Sequence, residues 1–180
     1  MNFTDFYMKE RVETFYHGSQ MKFDTFIMDK VGTGDGLNKF GFGLYFAESE
    51  ELAKYYAGEN KNKGAFLYEV QVKELENFHN WDEQTPDDIY SNVISSLERL
   101  GKDSDVEEIK QDMEDYGDKW SIDSLYQWLT VVLGSQKATS AFLYKNGLSG
   151  VIADDLHDRG KIFVAYSDSI VRIIDVTKIL

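Results

Sequence analysis

The chain has 180 residues, 42% hydrophobic and 14% aromatic, with 32 Asp/Glu against 19 Lys/Arg, a formal net charge of -13 and no cysteine. That length suits one globular domain with a sizeable core, while the charge argues against general affinity for nucleic-acid backbone, which needs Lys and Arg to displace counterions. The lack of cysteine excludes disulfides, thiolate metal sites and a cysteine nucleophile. No run of 18 apolar residues is present to span a membrane, and residues 1–11 mix acidic and basic side chains without an apolar signal core, so a cytoplasmic setting is expected.

In chain order, residues 13–16 read as a short strand and residues 20–40 as a loop, with Gly32, Gly34 and Gly36 in a Gly-Thr-Gly-Asp-Gly stretch. Residues 44–47 are apolar and aromatic, as in a buried strand. Ser49 then has the chemistry of a helix N-cap, followed by Glu50 and Glu51 in the first turn, with Leu52, Ala53 and Tyr56 on one face and Gly58 as the stop. Residues 65–73 alternate: Phe66, Tyr68, Val70 and Val72 stand against Leu67, Glu69, Gln71 and Lys73, which predicts a strand with one buried face.

Four helical stripes follow. The first holds Ile89, Val93, Ile94, Leu97 and Leu100 and is closed by Gly101; the second holds Val106, Ile109, Met113 and Tyr116. Ile122, Leu125, Trp128, Leu129 and Val132 make the third, and Ala138, Ala141, Phe142 and Tyr144 the fourth. Between residues 82 and 123 stand fourteen acidic residues and four basic ones, so most of the net charge belongs to this block. Its charges read first as solvated helix faces; the alternative is a surface that docks a basic protein partner. Strand character then returns at 150–153, 161–166 and 170–175, with Ser167-Asp168-Ser169 as the turn between the last two. The pattern predicts an α+β fold, a single domain over residues 1–180 with an acidic helical insertion at about 82–146.

Two short motifs carry the chemistry. In Phe15-Tyr16-His17-Gly18-Ser19 a histidine ends an apolar run, and in Phe40-Gly41-Phe42-Gly43-Leu44-Tyr45-Phe46-Ala47 a tyrosine sits inside one. By itself His17 is an ordinary strand-end histidine; as a site residue it is a neutral imidazole donating to a sugar hydroxyl, beside a glycine that lets a ligand approach the main chain. By itself Tyr45 is a core aromatic; as a site residue its ring stacks on a cationic heterocycle, with Gly41 and Gly43 opening the strand edge to it. The glycines make neither a P-loop, lacking the Lys-Ser/Thr, nor a dinucleotide fingerprint between strand and helix. His79 and His157 lack metal-ligand spacing, and no nucleophile context supports a Ser-His-Asp triad.

Together these pieces resemble the ADP-ribosyltransferase family, in the His-Tyr-Glu branch that includes the poly-ADP-ribose polymerases. The matching segments are Tyr16-His17-Gly18-Ser19, then Gly41 to Ala47, then a helix ending Ala53-Lys54-Tyr55-Tyr56-Ala57. A tail of Gly150-Val151-Ile152, Lys161-Ile162-Phe163-Val164-Ala165-Tyr166 and Ile170-Val171-Arg172-Ile173 matches in character. The resemblance covers residues 13–73 and 147–176. It implies a split, twisted β-sandwich that grips NAD as substrate, with no metal. His17 would bond the adenosine ribose, Gly18 the nicotinamide amide, and Ser19 the ribose or amide; Tyr45 would stack on the nicotinamide, with Tyr56 on its other face. Glu74-Leu75-Glu76 is similar to the Glu-x-Glu of the Arg-Ser-Glu branch, but the Arg and Ser-x-Ser of that branch are not in place.

At the third position, where the branch has glutamate, the alignment sets Lys161. The Asp154-Asp155-Leu156-His157-Asp158 stretch just before it is similar to that of a small anti-CRISPR ADP-ribosyltransferase, in which an aspartate at this strand end is the acid. On that match Asp155 is the first choice for the catalytic carboxylate, Asp154 the second and Asp158 the third; the plain alternative is an exposed, solvated turn. The activity implied is mono-ADP-ribosylation of a macromolecular acceptor, expected to be a protein, with release of nicotinamide. Rivals are an NAD glycohydrolase on the same pocket and an inactive binding or inhibitor protein acting through its acidic helices. An NAD-using RNA-phosphate transferase is disfavoured by the acidic balance.

Overall fold

Residue Tyr16 of the first strand pairs with Ala47 of the second, and on that one pair two halves of a sheet are joined. The computed structural model describes residues 13–32, 38–58, 64–116 and 120–179, without the side chains of Met113 and Tyr116. Gly34 and Gly36, and the Met113 and Tyr116 side chains expected in a helix stripe, therefore lie outside the described residues. The strands are β1 (Glu13–Ser19), β2 (Leu44–Ala47), β3 (Phe66–Val72), β4 (Phe78–Asn80), β5 (Gly150–Asp154), β6 (Lys161–Ala165) and β7 (Val171–Lys178). The helices are α1 (Glu50–Tyr56), α2 (Asp87–Arg99), α3 (Asp103–Tyr116), α4 (Ile122–Leu133) and α5 (Gln136–Lys145).

The strand order β4-β5-β6-β2-β1-β3-β7 is antiparallel throughout except for β4 against β5. Four strands, β4-β5-β6-β2, lie on one side of the seam and three, β1-β3-β7, on the other. The β1–β3 ladder runs over seven pairs, from Glu13–Val72 to Ser19–Phe66, whereas β1 and β2 part after Tyr16. The expected α+β architecture is observed, as one seven-stranded mixed sheet with five helices.

Two apolar cores follow from strand alternation. Tyr68, Val70 and Val72 of β3, all fully buried, pack with Phe15, Phe46 and Phe26 on one face. The opposite face carries the helices, with Leu67, Val151 and Val164 under Leu52, Val93, Leu97, Leu125 and Leu129. Ser49 caps α1 as expected, its hydroxyl accepting from the Leu52 amide, and Leu52 and Ala53 are buried while Tyr56, at the last turn, is half exposed.

Three expectations are corrected. The strand β4 has no signal in the sequence, since three residues are too short to show a period; it pairs in parallel with the edge of β5. The buried face of α4 is Ile122, Leu125, Tyr126 and Leu129, while Trp128 and Val132 are only partly buried. The buried face of α5 is Thr139, Ser140 and Leu143, whereas Ala141 is exposed and Ala138, Phe142 and Tyr144 are half-buried. Hydroxyls can be buried there because each has a partner: Ser140 meets the Tyr126 phenol at 2.8 Å and Thr139 donates to the Ser135 carbonyl at 3.0 Å. Hydrophobic periodicity is blind to such a face.

Candidate active site

The His17 side chain leaves β1 just past the seam pair. Continuing the Tyr16–Ala47 register would set Gly18 opposite Tyr45, but the ladder has ended. The imidazole takes its place, with Nδ1 2.9 Å from the Tyr45 carbonyl oxygen. A carbonyl only accepts, so Nδ1 carries the hydrogen, and in the neutral ring Nε2 keeps a lone pair. The ring is held among Phe26 at 5.1 Å, edge-on, and Phe23, Phe46 and Tyr68, each at 6.1 Å. Burial in this aromatic surround lowers its pKa, against the smaller opposing effect of the Tyr45 carbonyl. With Nδ1 carrying the hydrogen, Nε2 of a neutral ring can only accept a hydrogen bond, so the expected donation to a sugar hydroxyl does not fit this tautomer.

Gly18 pairs with Leu67 of β3 and, among the described residues, has no strand partner on the β2 side. Its α-carbon is pressed against α1: a Cβ there would collide with the Ala53 carbonyl and come within 2.7 Å of the Ala57 Cβ. Only glycine allows this approach. Ser19 is turned locally, its Oγ accepting from the Met21 amide at 3.1 Å.

The Tyr45 phenol folds back onto the preceding turn, donating to the Gly41 carbonyl at 2.8 Å and accepting from the Phe40 amide at 3.0 Å. Burial raises its pKa, so it stays a neutral phenol. Gly41, at φ +93, lies under the Tyr126 ring of α4, 2.6 Å from where a Cβ would stand. The Tyr126 hydroxyl accepts from the Phe42 amide at 2.8 Å and donates to the Gln136 carbonyl at 3.0 Å. Tyr126 is a residue that sequence reasoning missed; nothing marks it in the chain except its place four residues after Ile122. The expectation that Gly41 and Gly43 open the edge to a ligand is corrected: the space that a side chain would need is filled at Gly41 by the Tyr126 ring and at Gly43 by Val164 at 2.6 Å and the Ala165 carbonyl at 2.7 Å.

The acidic hairpin between β5 and β6 is not a solvated turn throughout. Asp155 is buried, 2% exposed, and its carboxylate accepts from the Tyr56 hydroxyl on one oxygen and from the His157 amide and Arg159 Nε, both at 3.0 Å, on the other. Burial would raise its pKa, but the bonds from Tyr56, Arg159 and the His157 amide, with the Arg159 charge, outweigh it and hold the carboxyl at about 2. Burial and this carboxylate push the Tyr56 phenol up to about 12. The Arg159 guanidinium lies 3.2 Å from the Tyr55 ring centre, so Asp155 ties the end of α1 to the hairpin through two tyrosines and an arginine. A cavity of about 780 Å³ opens beside this latch, lined by Leu52, Tyr55, Ala57 and Arg159.

Asp154 faces Lys161 across the β5–β6 ladder and forms an ion pair with it at 2.5 Å, both side chains being well exposed. The Asp154 hydrogen bond is the first of the effects that raise the Lys161 pKa. Asp158 is exposed, at φ +54 in the turn. Of the carboxylates weighed from sequence, the structure thus brings Asp155 to Tyr56 and Asp154 to Lys161. Among the described residues no group of three or more His, Asp or Glu could hold a metal ion, and no helix is long and apolar enough to cross a membrane.

The α+β architecture, a seven-stranded mixed sheet with five helices, is consistent with an ADP-ribosyltransferase fold. The family model described as ADP-ribosyltransferase in polyvalent proteins matches residues 11–175, and the chain belongs to that family. Enzymes of this class take NAD as their substrate. No curated protein and no solved structure matches the chain.

Proposed function

We propose that the protein is an NAD-dependent mono-ADP-ribosyltransferase of the His-Tyr-Glu type that passes ADP-ribose to a macromolecular acceptor, a protein side chain, and releases nicotinamide. The observation that carries this reading is the His17–Tyr45 bond at the end of the β1–β2 ladder, which leaves the Gly18 main chain without a strand partner on that side. Gly18 then has a free main-chain edge for a carboxamide, and His17 Nε2 accepts from an adenosine ribose hydroxyl. Tyr45 and Tyr56 flank the nicotinamide ring, and Ser19 stands at the ribose. Asp155, with both oxygens engaged, acts by fixing Tyr56 rather than by facing the sugar. Transfer stops at one unit, because Lys161 occupies the position of the glutamate that supports chain elongation in this branch. The four helices α2–α5 form an insertion in the single domain, and their acidic surface favours a basic acceptor protein.

The Lys161–Asp154 pair favours a second reading, a pocket that holds NAD without turning it over while the acidic helices do the work. Incubation with NAD labelled on the adenine side and on nicotinamide separates the outcomes. Nicotinamide release with label on a protein supports the transferase, release with free ADP-ribose supports a glycohydrolase, and NAD binding without release supports the inactive binding protein.

A further inference from the structure

If NAD is cleaved at the seam, a carboxylate must face the sugar as the glycosidic bond breaks. In that step the bond from the ribose C1′ to the nicotinamide nitrogen breaks and its electron pair goes to the nitrogen. Nicotinamide leaves neutral and the positive charge passes to the ribose C1′ and ring oxygen. A lone pair of the acceptor then bonds C1′, and the acceptor's proton goes to solvent. A fixed negative charge beside C1′ stabilises the intervening cation.

Apart from Asp158, exposed at φ +54 out in the turn, three carboxylates border the start of β6, and two are already engaged. Asp155 is buried with Tyr56, the His157 amide and Arg159 on its oxygens. Asp154 is neutralised by Lys161 at 2.5 Å. The third is Glu48, which the sequence reading passed over. It follows β2 directly, three residues after Tyr45, and its amide donates to the Lys161 carbonyl at 3.1 Å. Its carboxylate lies against Gly160, in space that a Cβ at that position would need. Gly160 in turn accepts from the Asp155 amide at 2.8 Å, so Glu48 stands at the base of the same hairpin whose other side holds Tyr56. Glu48 is exposed, and among the described residues no hydrogen bond or ion pair engages its carboxylate. Glu48 and Asp82, which follows β4, both act on Lys161 through their charge, with Asp154 alone bonded to it.

We propose that Glu48, from the end of β2, is the catalytic carboxylate that faces the nicotinamide ribose, in place of the strand glutamate that Lys161 has replaced. Lys161 and Asp154 cancel each other, and Glu48 supplies the net negative charge of the three. This rests on the transferase reading of the site.

The test compares the wild type with Glu48→Gln and Glu48→Asp, measuring nicotinamide release from NAD, NAD affinity by calorimetry and the thermal midpoint of each. The expected result is a fall in kcat of about 100-fold or more for Glu48→Gln, with NAD affinity within about threefold of wild type and partial activity in Glu48→Asp. Turnover by Glu48→Gln within about threefold of an active wild type overturns the assignment. Loss of NAD binding and of thermal stability in step with activity also overturns it, in favour of a structural role. A wild type that binds NAD and releases no nicotinamide overturns both this inference and the transferase reading.

Discussion

The His17 imidazole holds the Tyr45 carbonyl at 2.9 Å, at the point where the ladder between β1 and β2 has ended. This contact fixes the tautomer, leaving Nε2 as an acceptor, and joins the two half-sheets by a side chain where main-chain bonds stop. His17→Ala is expected to weaken NAD binding by about five- to tenfold, the worth of about one hydrogen bond; titration calorimetry checks it.

The same contact has a pH signature. An unfolded histidine titrates near about 6.5, and burial lowers the folded value. As pH falls through that region the unfolded chain takes up a proton that the folded chain resists, so acidification costs stability. Urea unfolding at pH 7.5 and 5.5 is expected to show wild type losing more stability than His17→Gln on acidification. Equal losses would mean that the ring is not desolvated in the fold.

Gly18 decides where α1 sits. Gly18→Ala drives a methyl into the Ala53 carbonyl and the Ala57 side chain, and overpacking of this kind costs about 1–3 kcal/mol. The denaturation midpoint is expected to fall accordingly, and NAD binding to fall with it as α1 and Tyr56 move outward.

The Asp155 latch is stabilising as well as orienting. Asp155→Ala removes the acceptor of the Tyr56 hydroxyl, the His157 amide and Arg159 together, so it is expected to unfold at clearly lower denaturant. Tyr56→Phe, which loses one hydrogen bond, costs about 1 kcal/mol, and the double variant less than the sum of the two. Because the carboxyl is held at about 2, its contribution is complete above the ordinary range near about 4 and is lost as pH falls toward 2.

Tyr126→Phe tests whether the helical block supports the site. The ring still fills the space under Gly41, but the Phe42 amide and the Ser140 hydroxyl lose their partner. A cost of about 1–2 kcal/mol is expected, together with a raised KM for NAD because the turn that holds the Tyr45 phenol loosens. An unchanged KM would separate the helices from the site.

Elements with a strong period or a local cap are legible in the chain: the alternation of β3, the Ile89, Val93, Ile94 and Leu97 stripe of α2, though not its expected fifth member Leu100, which is exposed, and the Ser49 cap of α1. These are set by nearest neighbours along the chain, where side-chain spacing and backbone geometry speak directly. Tertiary structure alone decided the rest. It buried Thr139 and Ser140 instead of Ala138 and Ala141, because a hydroxyl with a partner can replace an apolar side chain, and that partner, Tyr126, comes from another helix. It gave the space beside Gly43 to β6 and pressed Gly18 against α1. It also sorted the acidic residues, which look alike in the chain: Asp155 buried with Arg159 and Tyr56, Asp154 paired with Lys161, and Glu48 exposed against Gly160. A carboxylate's role depends on what stands within a few ångströms of it, and that is set by which strands meet.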